Sequence, residues 1–445
     1  MIAKVQRLVF LFMLMAVVLL QACSSSGGER KADHESSAAS TKSSTREDSK
    51  AANDTAASGE AAHTDEAAAA EEPTVKTENL DSSKEVEMDG ASDEPRSNGN
   101  EPNAGILTAG EWDDNMEWTR WNDLMQSREG GEYMPYWKFH DFRRLEVRVT
   151  GAGKPVADAV VTLSRGNGQN GWTARTNASG TAYLFPYLFV EQGGSAKYSL
   201  KVTAGQQRKQ FENVELKQGR VMEIKMDEAT KPSDLVDLML VVDTTGSMSD
   251  ELHYLEAELK DVVTRVAKDN QNQLDLRISP NFYRDIYDDY TVKPYPFTRN
   301  VDEAVRQIAD QEAFGGGDFP EAVEEAVEDA IDNHEWSQEA LARLLFLVMD
   351  APPHHEKSVV EQMQRLTERA AEEGIRIIPV ASSGVDIATE HLMRYMAVAT
   401  GGTYIFLTDH SGVGNGHLKP AVGEYEVLPL NDLLVNIINR YCRAA

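Results

Sequence analysis

Leu238-Met239-Leu240-Val241-Val242-Asp243-Thr244-Thr245-Gly246-Ser247-Met248-Ser249 is the stretch that decides the fold. An unbroken apolar run describes a strand buried on both faces, as in parallel sheets covered by helices. A small polar loop follows, and beyond it Leu252, Leu255, Leu259, Val262, Val263 and Val266 recur at helical spacing. The apolar run returns at 344–349, 375–381 and 403–407, and Leu433, Leu434, Ile437, Ile438 and Tyr441 form the last helical stripe. Strand alternating with helix over 232–445 predicts an α/β domain with a doubly wound, mostly parallel sheet. Its functional groups belong just past the carboxyl ends of the strands.

Asp243, Thr245 and Ser247 stand at that position, alternating along one tight loop. They offer a carboxylate and two hydroxyls, hard oxygen donors of the kind that suit Mg²⁺. A competing role is local, with Ser247 or Ser249 capping a helix that starts near Asp250. Asp350 ends the 344–349 run in Met349-Asp350-Ala351-Pro352-Pro353-His354. With both strand ends considered, the sequence resembles the von Willebrand factor A family and its metal-ion-dependent adhesion site, Asp-x-Ser/Thr-x-Ser. The resemblance implies a bound divalent ion (Mg²⁺, with Mn²⁺ or Ca²⁺ as substitutes), touched by Asp350 through water, and a threonine from a glycine-containing loop. Here that loop reads Phe314-Gly315-Gly316-Gly317-Asp318-Phe319-Pro320-Glu321, without a hydroxyl. It is similar to a subgroup in which Gly-Gly-Gly-Asp-x-Pro-Glu precedes Asp-Ala-Pro-Pro-His, which makes Asp318 the substitute ligand or a residue just behind it. Asp318 with Glu321 also fits a capping-box helix start. Asp285 is a further neighbour of the site or the ion-pair partner of Arg284. Adjacent His354 and His355 lack the spacing of a helical histidine pair and read as loop residues rather than zinc ligands. With Asp318 added to Asp243 and Asp350 a dication leaves the site near −1, and without it near neutral and receptive to an acidic partner group.

The whole chain, 445 residues with a net charge of −29, has no basic stripe and is therefore not expected to bind nucleic acid. Lys4 and Arg7 precede an apolar run at 8–20 that is shorter than the ~20 residues of a spanning helix, so it reads as a signal peptide. Leu20-Gln21-Ala22-Cys23 resembles the bacterial lipobox, which implies cleavage before Cys23 and its lipidation. The expected location is the extracytoplasmic face of a cell membrane or outer membrane, lipid-anchored. Residues 24–105, rich in Ser, Ala, Glu and Asp, are expected to be a disordered acidic tether.

Residues 106–143 hold Trp112, Trp118, Trp121 and Trp137, read as a packing segment with a short helix capped by Asp113-Asp114. From 144 to 228 alternating runs at 145–149, 159–163, 181–185, 198–202 and 221–226, separated by glycine turns, predict a small antiparallel β-sandwich. Gly153-Lys154-Pro155-Val156-Ala157-Asp158 with Thr176-Asn177-Ala178-Ser179-Gly180 resembles the carboxypeptidase regulatory-like, transthyretin-like family. No nucleophile, phosphate-loop or zinc-hydrolase pattern is present, so the expected function is non-enzymatic: capture of a protein or cell-surface ligand through the metal. An envelope scaffold with a structural metal and a metal-assisted hydrolase are the alternatives. Cys442, on the last helical stripe, is expected to be a buried free thiol.

Overall fold

The computed structural model describes residues 102–443 apart from 166–169, 191–196, 218, 229–232 and 271–272. The signal peptide with Cys23 and nearly all of the tether lie outside the described residues. The described chain starts just before the expected boundary, where the buried Glu258 carboxylate accepts the backbone N–H groups of Gly105, Ile106 and Leu107.

In chain order, Thr108–Trp112 (β1) leads into helices Trp118–Gln126 (α1) and Arg128–Tyr136 (α2). The next strands are Leu145–Gly151 (β2), Lys154–Pro155 (β3), Val160–Arg165 (β4), Asn170–Arg175 (β5), Thr181–Leu184 (β6), Tyr198–Ala204 (β7), Gln207–Val214 (β8) and Val221–Met226 (β9). They make two four-stranded sheets, β5-β4-β7-β8 and one in which β2 pairs with β3, β6 and β9. β5 and β8 were not expected. The pairing is not purely antiparallel either, since β9 runs parallel to β2.

The second half alternates as its apolar runs require: Leu235–Asp243 (β10), Ser249–Asp269 (α3), Asp275–Tyr283 (β11), Val292–Lys293 (β12), Val301–Ala309 (α4), Val323–Asp332 (α5), Ala342–Met349 (β13), Lys357–Glu373 (α6), Ile375–Ala381 (β14), Ile387–Thr400 (α7), Tyr404–Leu407 (β15), Leu428–Pro429 (β16) and Leu430–Tyr441 (α8). The sheet order is β12-β11-β10-β13-β14-β15-β1-β16, with β11, β10, β13, β14 and β15 mutually parallel. β1 pairs antiparallel with β15 and β16, so the start of the tryptophan-rich segment is a strand of this sheet and not only packing against it.

Alternate residues of one strand face opposite sides. Met239 and Val241, with Leu345, Leu347 and Ile377, join the cluster under α5, α6 and α7 that runs on into the two smaller sheets. Leu238, Leu240 and Val242, with Leu344, Phe346 and Ile378, pack under α3, α4 and α8. The first cluster also takes in Trp121 and Trp137, the latter donating its Nε1–H to Ala388 O at 2.7 Å. α1 starts four residues later than the acidic cap expected for it. The Asp113 carboxylate accepts Asn115 N and Met116 N in a preceding turn, and Asp114 goes inward to Arg394. Cys442 is buried and unpaired, and burial pushes its thiol up to about 12. Among the described residues no helix is long and apolar enough to cross a membrane.

Candidate functional site

β10 delivers Asp243 to the carboxyl edge of the sheet, and a single 3₁₀ turn, Gly246–Met248, separates it from α3. Asp243 is fully buried; its Oδ1 accepts Thr245 N at 2.8 Å and Thr245 Oγ1 at 2.7 Å. Thr245 Oγ1 lies 3.0 Å from Ser247 Oγ. Neither Ser247 nor Ser249 caps α3, whose N-cap is Met248 with no side-chain bond. The Ser247 hydroxyl instead lies beside Asp350, at the end of β13, where it favours the ionised carboxylate. The loop is thus organised around its own side-chain oxygens.

The glycine-rich loop docks directly on it. Gly246 N donates to Gly315 O at 3.0 Å and Phe314 N to Thr244 O at 3.0 Å. A Cβ on Gly246 would stand 2.9 Å from Gly315 O, so only glycine allows this approach. Gly316, at φ +70°, lies against Thr245 and against Glu321, whose Oε1 would be 2.9 Å from an added Cβ.

Glu321 is therefore the acid beside the Asp243 loop, a role that the sequence pattern disguised. It does not start a helix with Asp318. Its N–H bonds Pro352 O at 3.0 Å, and α5 begins at Val323 without a side-chain cap. Asp318, exposed, lies instead with Asp285 and His354, their ligand atoms all within 4.8 Å of one another. The expected ion pair of Arg284 with Asp285 is replaced: Arg284 donates to Thr244 O at 3.2 Å and Glu312 O at 2.8 Å and stacks on Tyr290. His355 stacks on Tyr136 with ring centroids 3.8 Å apart.

The electrostatics are those of a buried acid cluster. Burial, reinforced by Asp350, pushes Asp243 up to about 7, and burial pushes Asp350 up to about 6. Burial and then Asp243, Asp285, Asp350 and Asp288 push Glu321 up to about 9. Asp243 Oδ2, Asp350 Oδ1 and Glu321 Oε2 are buried without a hydrogen-bond partner, a costly state for acceptors that a cation would relieve. These residues therefore fit a hard divalent ion, and Asp243, Thr245, Ser247 and Asp350 would hold it.

The sign of the pH dependence follows. A carboxyl whose folded pKa exceeds its unfolded value of about 4 stabilises the fold at low pH, and that contribution is lost as pH rises through the folded pKa. In chelator, the melting temperature is expected to fall between about pH 5 and pH 9. Mg²⁺ should remove most of the fall, and Glu321→Gln should flatten its upper part. A thermal-shift series in chelator and in Mg²⁺ checks this; identical slopes for both would contradict the site.

An oxygen-lined loop at the carboxyl rim of a doubly wound, mostly parallel sheet defines a class of α/β domains. Within that class, residues 237–412 match the sequence model of the von Willebrand factor A domain, and the chain carries such a domain there. Among curated proteins, it is similar to an ariadne-like RING finger protein of Acanthamoeba polyphaga mimivirus, 30% identical over 131 residues, which are 29% of this chain and 12% of that protein. It is also similar to the alpha-protein kinase vwkA of Dictyostelium discoideum, 33% identical over 138 residues, 30% of this chain and 21% of that one. The chain thus spans 12% and 21% of the lengths of these relatives. The conserved hypothetical protein BatB from Bacteroides thetaiotaomicron aligns over 47% of this chain and 87% of its own, at 14% identity and a TM-score of 0.26.

Proposed function

We propose that this protein is a membrane-anchored, extracytoplasmic binding protein that captures a protein or surface ligand through a divalent ion held by Asp243, Thr245, Ser247 and Asp350, without enzymatic activity. The von Willebrand factor A domain itself suggests an interaction or adhesion role. The observation that carries the metal-dependent reading is the pair of unpartnered buried oxygens, Asp243 Oδ2 and Asp350 Oδ1, at two adjacent strand ends. Mg²⁺ keeps exchangeable waters, and an oxygen from a partner can replace one. In this reading lipid on Cys23 and the acidic tether hold the domain away from the membrane. The two smaller sheets, similar in sequence to the carboxypeptidase regulatory-like family, serve as a spacer.

A second feature supports capture. The exposed large hydrophobics include Ile286, Tyr287, Phe314 and Phe319, all on two of the loops that frame the site. Apolar side chains around a charged centre are how a binding face gains affinity. Tyr287→Ala with Phe319→Ala is expected to weaken partner capture at least ~10-fold, about 1.4 kcal/mol, while leaving Mg²⁺ uptake unchanged. The test is pull-down of envelope proteins by the full chain in Mg²⁺ and in chelator, with calorimetric Mg²⁺ titration alongside. Capture indifferent to chelator would reject the metal-dependent reading.

The scaffold alternative, with a structural metal, draws on Glu321, because a third buried acid holds a dication more firmly. It requires the chelated protein to lose its fold and not merely its partner.

A further inference from the structure

We propose that Asp285, Asp318 and His354 form a second cation site, separate from the one around Asp243 and Asp350 and suited to a zinc-class transition-metal dication. Three loops contribute one ligand each: the turn after β11, the glycine-rich loop and the proline-rich loop after β13. Their ligand atoms lie within 4.8 Å of one another. Ligand atoms at about 2.0–2.2 Å from one tetrahedral ion stand roughly 3.3 to 3.6 Å apart, so the trio must close by on the order of 1 Å, a movement that rotation of the exposed Asp318 side chain can supply.

Asp285 supplies the independent pointer to a ligand. It is 3% exposed, and its Oδ1 has no hydrogen-bond partner. The nearest basic group is His354, with Nε2 at 3.7 Å, too far for a hydrogen bond. His354 Nδ1 is also buried and unpartnered. Arg284, next in sequence, bonds the carbonyls of Thr244 and Glu312 and does not pair with Asp285. A buried carboxylate in that condition is expensive unless paired or bound to a metal.

The frame is assembled by backbone contacts. Asp288 Oδ2 accepts Asp285 N at 3.1 Å and Gly316 N at 2.8 Å, which ties the β11 turn to the glycine-rich loop. Asp318 is exposed and gives the ion an entry path. The donor set separates the two sites chemically. The first offers only oxygens and suits Mg²⁺, whereas an imidazole with two carboxylates favours zinc or a neighbouring first-row ion. Occupancy would cross-link the three loops that frame the first site. A simple protonated His354–Asp285 ion pair predicts no metal at all, and the two readings part there.

The test is calorimetric titration of the full chain with Zn²⁺ in saturating Mg²⁺, with Co²⁺ absorption as a spectroscopic report of the imidazole. Wild type should take up a single equivalent that Mg²⁺ does not displace. Asp318→Asn, at an exposed position that the fold does not depend on, and His354→Gln should each weaken Zn²⁺ at least ~10-fold, the lower end of what disturbing even an outer partner of a metal ligand costs. Both should keep Mg²⁺ uptake, and Asp243→Asn should keep Zn²⁺ uptake. No Zn²⁺ uptake in saturating Mg²⁺, or uptake indifferent to both Asp318→Asn and His354→Gln, would overturn the proposal. Uptake abolished by Asp243→Asn would show one site rather than two.

Discussion

Asp243→Asn is expected to abolish Mg²⁺ uptake and metal-dependent partner capture while leaving the chelated protein as stable as wild type at neutral pH, or more so. Asparagine keeps the volume and the Oδ1 acceptor that Thr245 N and Thr245 Oγ1 require. What it removes is the charge carried by Oδ2, which has no partner in the protein. Burial and Asp350 already push this carboxyl up to about 7, so its ionised form is held at a cost that the variant avoids. With Mg²⁺ at 100 times its dissociation constant, wild type should gain about 2.7 kcal/mol, or roughly 5 to 11 °C in melting temperature. The variant should gain nothing. A preserved Mg²⁺ shift in the variant would mean that the ion sits elsewhere. Collapse of the chelated variant would give the Asp243 carboxylate a structural role that needs no ion.

The strands that place this site were legible because they are buried on both faces: the apolar runs ending at Asp243 and Asp350 admit few other readings. β11 was not delimited, because Asp275–Tyr283 includes Arg277, Ser279, Pro280 and Asn281. Tertiary bonding makes it a strand. Arg277 pairs with the fully buried Asp237 at 2.7 and 2.8 Å, and Asn281 Oδ1 accepts Tyr295 N at 2.7 Å. Pro280 is tolerated because the N–H groups of Ile278 and Arg284, in the same alternation, point to the outer side, which is covered by Thr298 and Thr291. β1 escaped notice because a strand of five residues among tryptophans leaves no period to read. At the site, Asp243, Thr245 and Ser247 share hydrogen bonds, and Asp350 ends the neighbouring strand with a buried unpartnered oxygen of its own. Glu321 also reads as a helix cap in the sequence because an acid three residues after an aspartate fits both roles, and only the path of the backbone through Pro352 decides between them. The trio of Asp285, Asp318 and His354 is spread over 70 residues of sequence and carries no local spacing signal.

Arg394→Met is expected to cost the most stability of any single change in the described residues outside the apolar cores. Arg394 lies in α7 with 1% of its surface exposed, and its three guanidinium nitrogens all have partners. Nε and Nη2 bond Asp114 at 2.9 and 2.8 Å, and Nη1 bonds Glu390 Oε1 at 3.1 Å and Ala421 O at 3.0 Å. Asp114 also accepts Trp112 Nε1–H at 2.9 Å, so one cation joins the end of β1, α7 and the loop near residue 421. Methionine matches much of the volume but strands two buried carboxylates, and breaking a buried pair in this way costs about 3–5 kcal/mol. The melting temperature should drop by roughly 6 to 20 °C. The decisive comparison is the triple variant Asp114→Asn, Glu390→Gln, Arg394→Met, in which no uncompensated charge remains and the amide oxygen introduced at position 114 can still accept from Trp112. Because buried ion pairs are often no better than neutral groups of similar shape, the triple variant should recover most of the loss. If it stays as unstable as the single change, the guanidinium matters through its shape and its bond to Ala421 rather than through charge. If Arg394→Met alone costs under about 1 kcal/mol, the network must be reached by water despite its burial.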